Sequence, residues 1–158
     1  MNEYILDVIR KYKNKGVVVD ANILLLYVVR TFDLSLIRNF KRTSSFTENQ
    51  FDRVSKFIEK FSRTITAPHI LTEVDDLLGN RVELRAVLAA YIKNSIEHHS
   101  EASLLIEGTY YTTVGIADSA IYDLARNNYL IFTDDGLLHN ILSKSGLDVV
   151  KLDYVTSI

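Results

Sequence analysis

A chain of 158 residues, 47% hydrophobic and 24% charged, has the size and composition of one globular domain, and residues 1–158 are expected to share a single core. The absence of cysteine excludes disulfide frameworks, thiolate zinc sites and cysteine nucleophiles, and a net charge of −2 excludes the coating of nucleic acid by bulk charge. The longest apolar run, Ile23 to Val29, is too short to cross a bilayer, and Glu3 and Asp7 stand where a signal peptide would be basic, so no membrane contact and a cytoplasmic location are expected.

Tyr4, Ile5, Val8, Ile9 and Tyr12 fall at helical spacing, which predicts an extra N-terminal helix within residues 1–15 that Gly16 ends. The β-branched run Val17 to Val19 then predicts a buried strand, ending at Asp20. Residues 31–46 lack clear periodicity and read as a loop with one helical turn. Thr47 with Gln50 forms a capping-box pattern ahead of an apolar face of Phe51, Val54, Phe57, Ile58 and Phe61. Thr64 to Thr66 is a second short strand, and Pro68 opens a helix through Leu78. Asn80 with Glu83 predicts a capped helix continuing through Ile96, and Ser100 a shorter one to Gly108. A helix over Ile116 to Arg126, a strand over Tyr129 to Thr133, a helix over Gly136 to Lys144 and a strand over Leu147 to Leu152 complete the chain. Strands alternating with helices imply parallel pairing, hence a three-layer α/β fold with helices on both faces of a central parallel sheet.

In such sheets ligands gather beyond the carboxyl ends of the strands. Those ends are acidic here: Asp20 follows the first strand, Glu73 lies a turn after the second, Asp134 and Asp135 follow a later one, and Asp118 begins a helix. Converging carboxylates repel unless a cation neutralises them, and oxygen ligands without cysteine or histidine favour Mg2+ or Mn2+. Arg10, Lys11, Lys13 and Lys15, followed by Lys41, Arg42, Arg53, Lys56, Lys60 and Arg63, offer a local basic patch for phosphates on either side of a cut.

The segments VVVDANILL, ITAPHILTEV, VGIADSAIYDLA and LIFTDDGLL resemble, in order, the four acidic motifs of the PIN domain, over residues 17–140. The resemblance implies Asp20, Glu73 and Asp118 as core metal-site acids, Asp135 as the fourth, and Asp134 as a variable neighbour. Asn22 and Thr133 match the polar positions that orient these acids. PIN domains are typically metal-dependent endoribonucleases, so RNA is the implied substrate. Many bacterial and archaeal members are VapC-type toxins, so an antitoxin protein and a second copy of the chain are the further partners implied. The helix before Val17 and the long stretch from Thr31 to Glu48 depart from that toxin pattern.

Each acid has a plainer alternative. Asp118 and Asp135 also suit helix N-termini, and a register shift would put Asp76 in place of Glu73. His69 reads as a surface hydrogen-bonder, His98 and His99 as solvent-exposed, and Tyr110 and Tyr111 as packing residues or platforms for RNA bases. A haloacid dehalogenase-type phosphohydrolase also begins with an aspartate after a buried strand, but needs a second aspartate where this chain has Asn22. A catalytically silent PIN-like RNA-binding scaffold is the remaining alternative, although all four acidic positions are filled.

Overall fold

A computed structural model describes residues 3–155. Its centre is a five-stranded, all-parallel sheet in the order β3-β2-β1-β4-β5, formed by β1 (Val17–Val19), β2 (Thr64–Thr66), β3 (Ser95–Glu97), β4 (Leu130–Thr133) and β5 (Val149–Lys151). The expected three-layer α/β fold is therefore observed. β1 is central because its three valines are buried on both faces, which only a strand with neighbours and helices on every side permits.

The helices are α1 (Glu3–Tyr12), α2 (Ala21–Phe32), α3 (Leu36–Asn39), α4 (Glu48–Ile58), α5 (Pro68–Leu78), α6 (Val82–Lys93), α7 (Ala102–Leu105), α8 (Tyr111–Arg126) and α9 (Gly136–Lys144). α4 starts with the capping box read from Thr47 and Gln50, each backbone N–H donating to the other's side chain at 2.8 and 3.3 Å. Its apolar face carries Phe57 onto Phe132 of β4, ring centroids 4.6 Å apart. α1 packs along the β5 side: Tyr4 Oη donates to the Val149 carbonyl at 3.1 Å, and Tyr12 Oη and Lys11 Nζ donate to Asp148 at 2.8 and 2.6 Å. No helix among the described residues is long and apolar enough to cross a membrane.

Three boundaries differ from expectation. α6 stops at Lys93, and Ser95–Glu97 pairs with β2 as an edge strand instead of prolonging the helix through Ile96. Arg81, not Asn80, occupies the N-cap of α6, with no side-chain hydrogen bond there. The last strand is shorter than predicted, because Leu152–Tyr154 turns into a 3-10 helix. The single helical turn expected between residues 31 and 46 is α3, although α2 itself runs on to Phe32.

Candidate metal centre

The chain leaves β1 to build β2 and β3 on one side, then crosses back to place β4 and β5 on the other. The switch between these directions lies at the carboxyl ends of β1 and β4, the usual ligand position in an open parallel sheet. Asp20 follows β1 directly, and its N–H donates to the Phe132 carbonyl of β4 at 3.1 Å, so the two strand ends are locked side by side.

Asp20 is buried, 4% exposed, and both its carboxylate oxygens are engaged. Oδ1 accepts from the Ile23 N–H at 2.8 Å and caps α2, while Oδ2 accepts from the Thr133 hydroxyl and from the Asp134 N–H at 3.2 Å. Burial nevertheless pushes the Asp20 carboxyl up to about 6 against those three hydrogen bonds. Thr133, fully buried, is the hinge of this arrangement: it donates to Asp20 and accepts from the Asp135 N–H at 2.9 Å. Asp135 in turn caps α9, its Oδ1 accepting from the Leu137 and Leu138 N–H groups at 2.6 and 2.9 Å. The capping role and the site role thus coexist, since one oxygen serves the helix and Oδ2 has no protein partner among the described residues.

Asp118 arrives on α8, whose run is broken at Gly115 (φ 83°, ψ −177°). That left-handed conformation costs glycine little and restarts the helix just before Asp118. The carboxyl is half-buried, makes no hydrogen bond among the described residues, and is pushed up to about 7 by burial first and then by the charges of Asp135, Asp20 and Glu73. Glu73 stands exposed on α5, yet partial desolvation raises its carboxyl as well. On α5, Asp75 is held by Arg85 through contacts of 2.9 and 3.1 Å, Glu73 and Asp76 are both exposed, and the charge of Glu73 reaches Asp118.

The structure does not bring every expected residue onto the acids. Asn22 is exposed on the first turn of α2 and makes no hydrogen bond to the acids among the described residues; Thr133 and the Asp134 N–H do the orienting. The basic residues of the first half do not flank the acids as a group. Lys13 and Lys15 precede β1 and Arg63 precedes β2, at the opposite edge of the sheet, while Arg10 pairs with Asp7 and Lys11 with Asp148.

Some groups at the acidic edge were not singled out from sequence. Lys151 lies opposite Thr133 in the β4–β5 register, 3.8 Å from Asp153, and its charge opposes the rise that burial and then Asp153 impose on Asp134. Only that register, which no local motif encodes, brings Lys151 there. The Thr66 hydroxyl at the end of β2 and His69 Nδ1 in the first turn of α5 are buried without hydrogen bonds, and His69 itself is half-buried. Away from this edge, His98 is half-buried with Nε2 2.9 Å from Tyr129 Oη, and Tyr110 packs edge-on against Tyr122, which supports a packing role for that tyrosine.

The donor set is entirely oxygen, which suits Mg2+ or Mn2+. Among the described residues no three acidic or histidine side chains close on a common point. The charges of Asp135, Asp20 and Glu73 nevertheless reach Asp118 and raise its proton affinity. Neither protein-family models nor characterised sequences give a match to this chain.

Proposed function

We propose that this chain is a metal-dependent endoribonuclease of the PIN type, hydrolysing RNA phosphodiester bonds at the carboxyl ends of β1 and β4. The observation that carries the proposal is the coupling of Asp118 to Asp135, Asp20 and Glu73: four carboxylates from four separate segments share one strand edge at the switch point of the sheet. Asp118 feels the charges of the other three acids across that edge, and the same four positions carry the PIN resemblance.

Asp20, Glu73, Asp118 and Asp135 would hold one or two Mg2+ or Mn2+ ions. When bound, such ions supply an activated water and charge stabilisation for phosphodiester hydrolysis. The protein's own part is positional. Thr133 fixes the Asp20 carboxylate and the Asp135 backbone together, the Asp20 cap sets α2, and the break at Gly115 delivers Asp118 from the far side. The raised carboxyls of Asp20 and Asp118 mark a site that gains from a cation, because a neighbouring positive charge favours the ionised form.

The test is cleavage of a panel of structured and single-stranded RNAs with Mg2+, Mn2+ or chelator, by wild type and by Asp20→Asn and Asp118→Asn proteins of verified fold. Asparagine keeps the shape and, at position 20, the capping oxygen. Metal-dependent cutting abolished by both substitutions is expected. Cutting that persists in both removes the assignment, and a folded wild type inert on every RNA favours the silent scaffold.

A further inference from the structure

Lys13, Lys15 and Arg63 lie at the opposite edge of the sheet, and the cation felt beside the acids comes from β5. Lys151 pairs with Thr133 in the parallel β4–β5 ladder. Residues paired in this way put their side chains on one face of the sheet, about 5 Å apart. Thr133 uses that face to bind Asp20 and the Asp135 N–H, so Lys151 stands on the acids' own side.

The Lys151 side chain is 28% exposed and makes no hydrogen bond among the described residues; its ion partner, Asp153, is 3.8 Å away and 61% exposed. At that separation and exposure the pair contributes little and leaves the ammonium donors free. Only burial and other acids act on Asp118, and burial alone on Glu73, whereas the charge of Lys151 is felt by Asp134 and by His139 of α9.

An uncharged feature adjoins this lysine. Tyr154, which closes the 3-10 turn after β5, meets His139 edge-on, ring centroids 5.4 Å apart at 83°. Burial and then the charge of Lys151 lower the His139 imidazole, so that ring is neutral at pH 7. The Tyr154 ring is 44% exposed. An ammonium with donors to spare beside a half-exposed aromatic ring, on the side of acids suited to metal ions, matches one nucleotide of an unpaired strand: a phosphate for the amine and a base face for the ring. In a duplex that base would already be stacked on its neighbours.

We propose that Lys151 and Tyr154 bind the nucleotide next to the scissile phosphate, Lys151 taking its phosphate and Tyr154 stacking on its base, which makes unpaired RNA the substrate of the acidic edge. The inference rests on the nuclease reading for the position of the cut, and on the β4–β5 ladder and the exposed ring for the binding itself.

Binding of a short, fluorescently labelled single-stranded RNA to the full chain is measured by anisotropy, in chelator and in Ca2+, across a salt series and beside a duplex of the same sequence. Mn2+-dependent cleavage is followed in parallel. The variants are Lys151→Gln, Tyr154→Ala, Tyr154→Phe and Lys144→Gln, the last making the same charge change in the last turn of α9. Saturable binding of the single strand is expected, about tenfold weaker in Lys151→Gln and in Tyr154→Ala and unchanged in the other two, with the salt slope of Lys151→Gln lower by about 0.7. In cleavage the same losses should fall on KM and spare kcat. No saturable binding at low salt in either buffer, a duplex bound as tightly, or a loss in Lys144→Gln equal to that in Lys151→Gln overturns the proposal. Cutting whose KM is unchanged in Lys151→Gln and Tyr154→Ala removes it and leaves the nuclease standing. Binding that depends on both residues without any cutting keeps the RNA site and removes the nuclease.

Discussion

Thr133 shows how much one side chain can carry. Its hydroxyl, buried at the end of β4, donates a hydrogen bond to Asp20 and accepts one from the Asp135 N–H at 2.9 Å. Thr133→Val keeps the shape and removes both bonds, leaving the buried Asp20 Oδ2 with the Asp134 N–H alone and the half-buried Asp135 N–H without its acceptor. A loss of about 1–3 kcal/mol is expected in urea unfolding. Cleavage should fall by about tenfold or more, because the acids are no longer held in register. An unchanged unfolding midpoint would show that Thr133 is not the link between the two acids.

The acids also set a pH dependence at this scale. Asp20 and Asp118 rise from an ordinary 3.8 to about 6 and about 7 on folding, so between those limits the folded protein binds protons that the unfolded chain has lost. In chelator, stability should therefore be greatest near the unfolded value and decline as pH rises through 6 to 7, levelling off above. Thermal midpoints from pH 5 to pH 8 test this. Asp118→Asn should flatten the decline and stabilise the metal-free protein at pH 8, and a variant as pH-sensitive as wild type would contradict the coupling.

At the scale of elements, the glycine between α1 and β1 is the point of least tolerance. Gly16 adopts φ +126°, and a Cβ there would lie 2.8 Å from Ile65 Cγ1 and 3.1 Å from Arg63 Cγ, in the seam between β1 and β2. Gly16→Ala meets both a backbone conformation that disfavours side chains and a close neighbour. A loss of at least 1–3 kcal/mol is expected from the backbone alone, read as a lower denaturation midpoint. An alanine variant as stable as wild type would mean that the seam relaxes freely.

Element boundaries also show where local sequence stops being informative. The capping box at Thr47 and the valine run of β1 were legible because their causes are local: a hydrogen-bonded cap, and β-branching with burial. Ser95–Glu97 was not. The helix formers through Ala90 and the isolated Ile96 continue a helical pattern, and the strand exists because Thr64, Ile65 and Thr66 offer it a ladder to join. Tertiary pairing overrode local propensity there. The same distinction divides the site: Asp20 and Asp135 could be placed from strand ends, whereas the exposure of Asn22 and the proximity of Lys151 to Asp134 follow from packing and register.

For the whole molecule, the sheet separates charge. Strands of three or four residues span about 10–13 Å, so the acidic edge and the loops carrying Lys13, Lys15 and Arg63 occupy opposite ends of a thin layer. A negatively charged RNA, the proposed substrate, would therefore meet an acidic edge that its phosphates would avoid unless cations intervene. The proposed chemistry and folding stability then become linked through the same ions. A divalent cation that binds the folded acids and not the unfolded chain should stabilise by RT ln(1 + [M]/Kd), about 2.7 kcal/mol at a hundred times Kd. Because burial and mutual repulsion disfavour the ionised acids, the gain should be largest at pH 8 and shrink toward pH 5, where protons compete for the same oxygens. Thermal unfolding with Mn2+ or Mg2+ at the two pH values, in wild type and Asp118→Asn, reads this out without any RNA. A metal-dependent rise at pH 8 that collapses in the variant would tie the ion to the four-acid edge. A rise of equal size in the variant would put the ion elsewhere, and no rise at saturating metal would leave Asp20 and Asp135 as helix caps alone, with the RNA-cleaving proposal deprived of its metal.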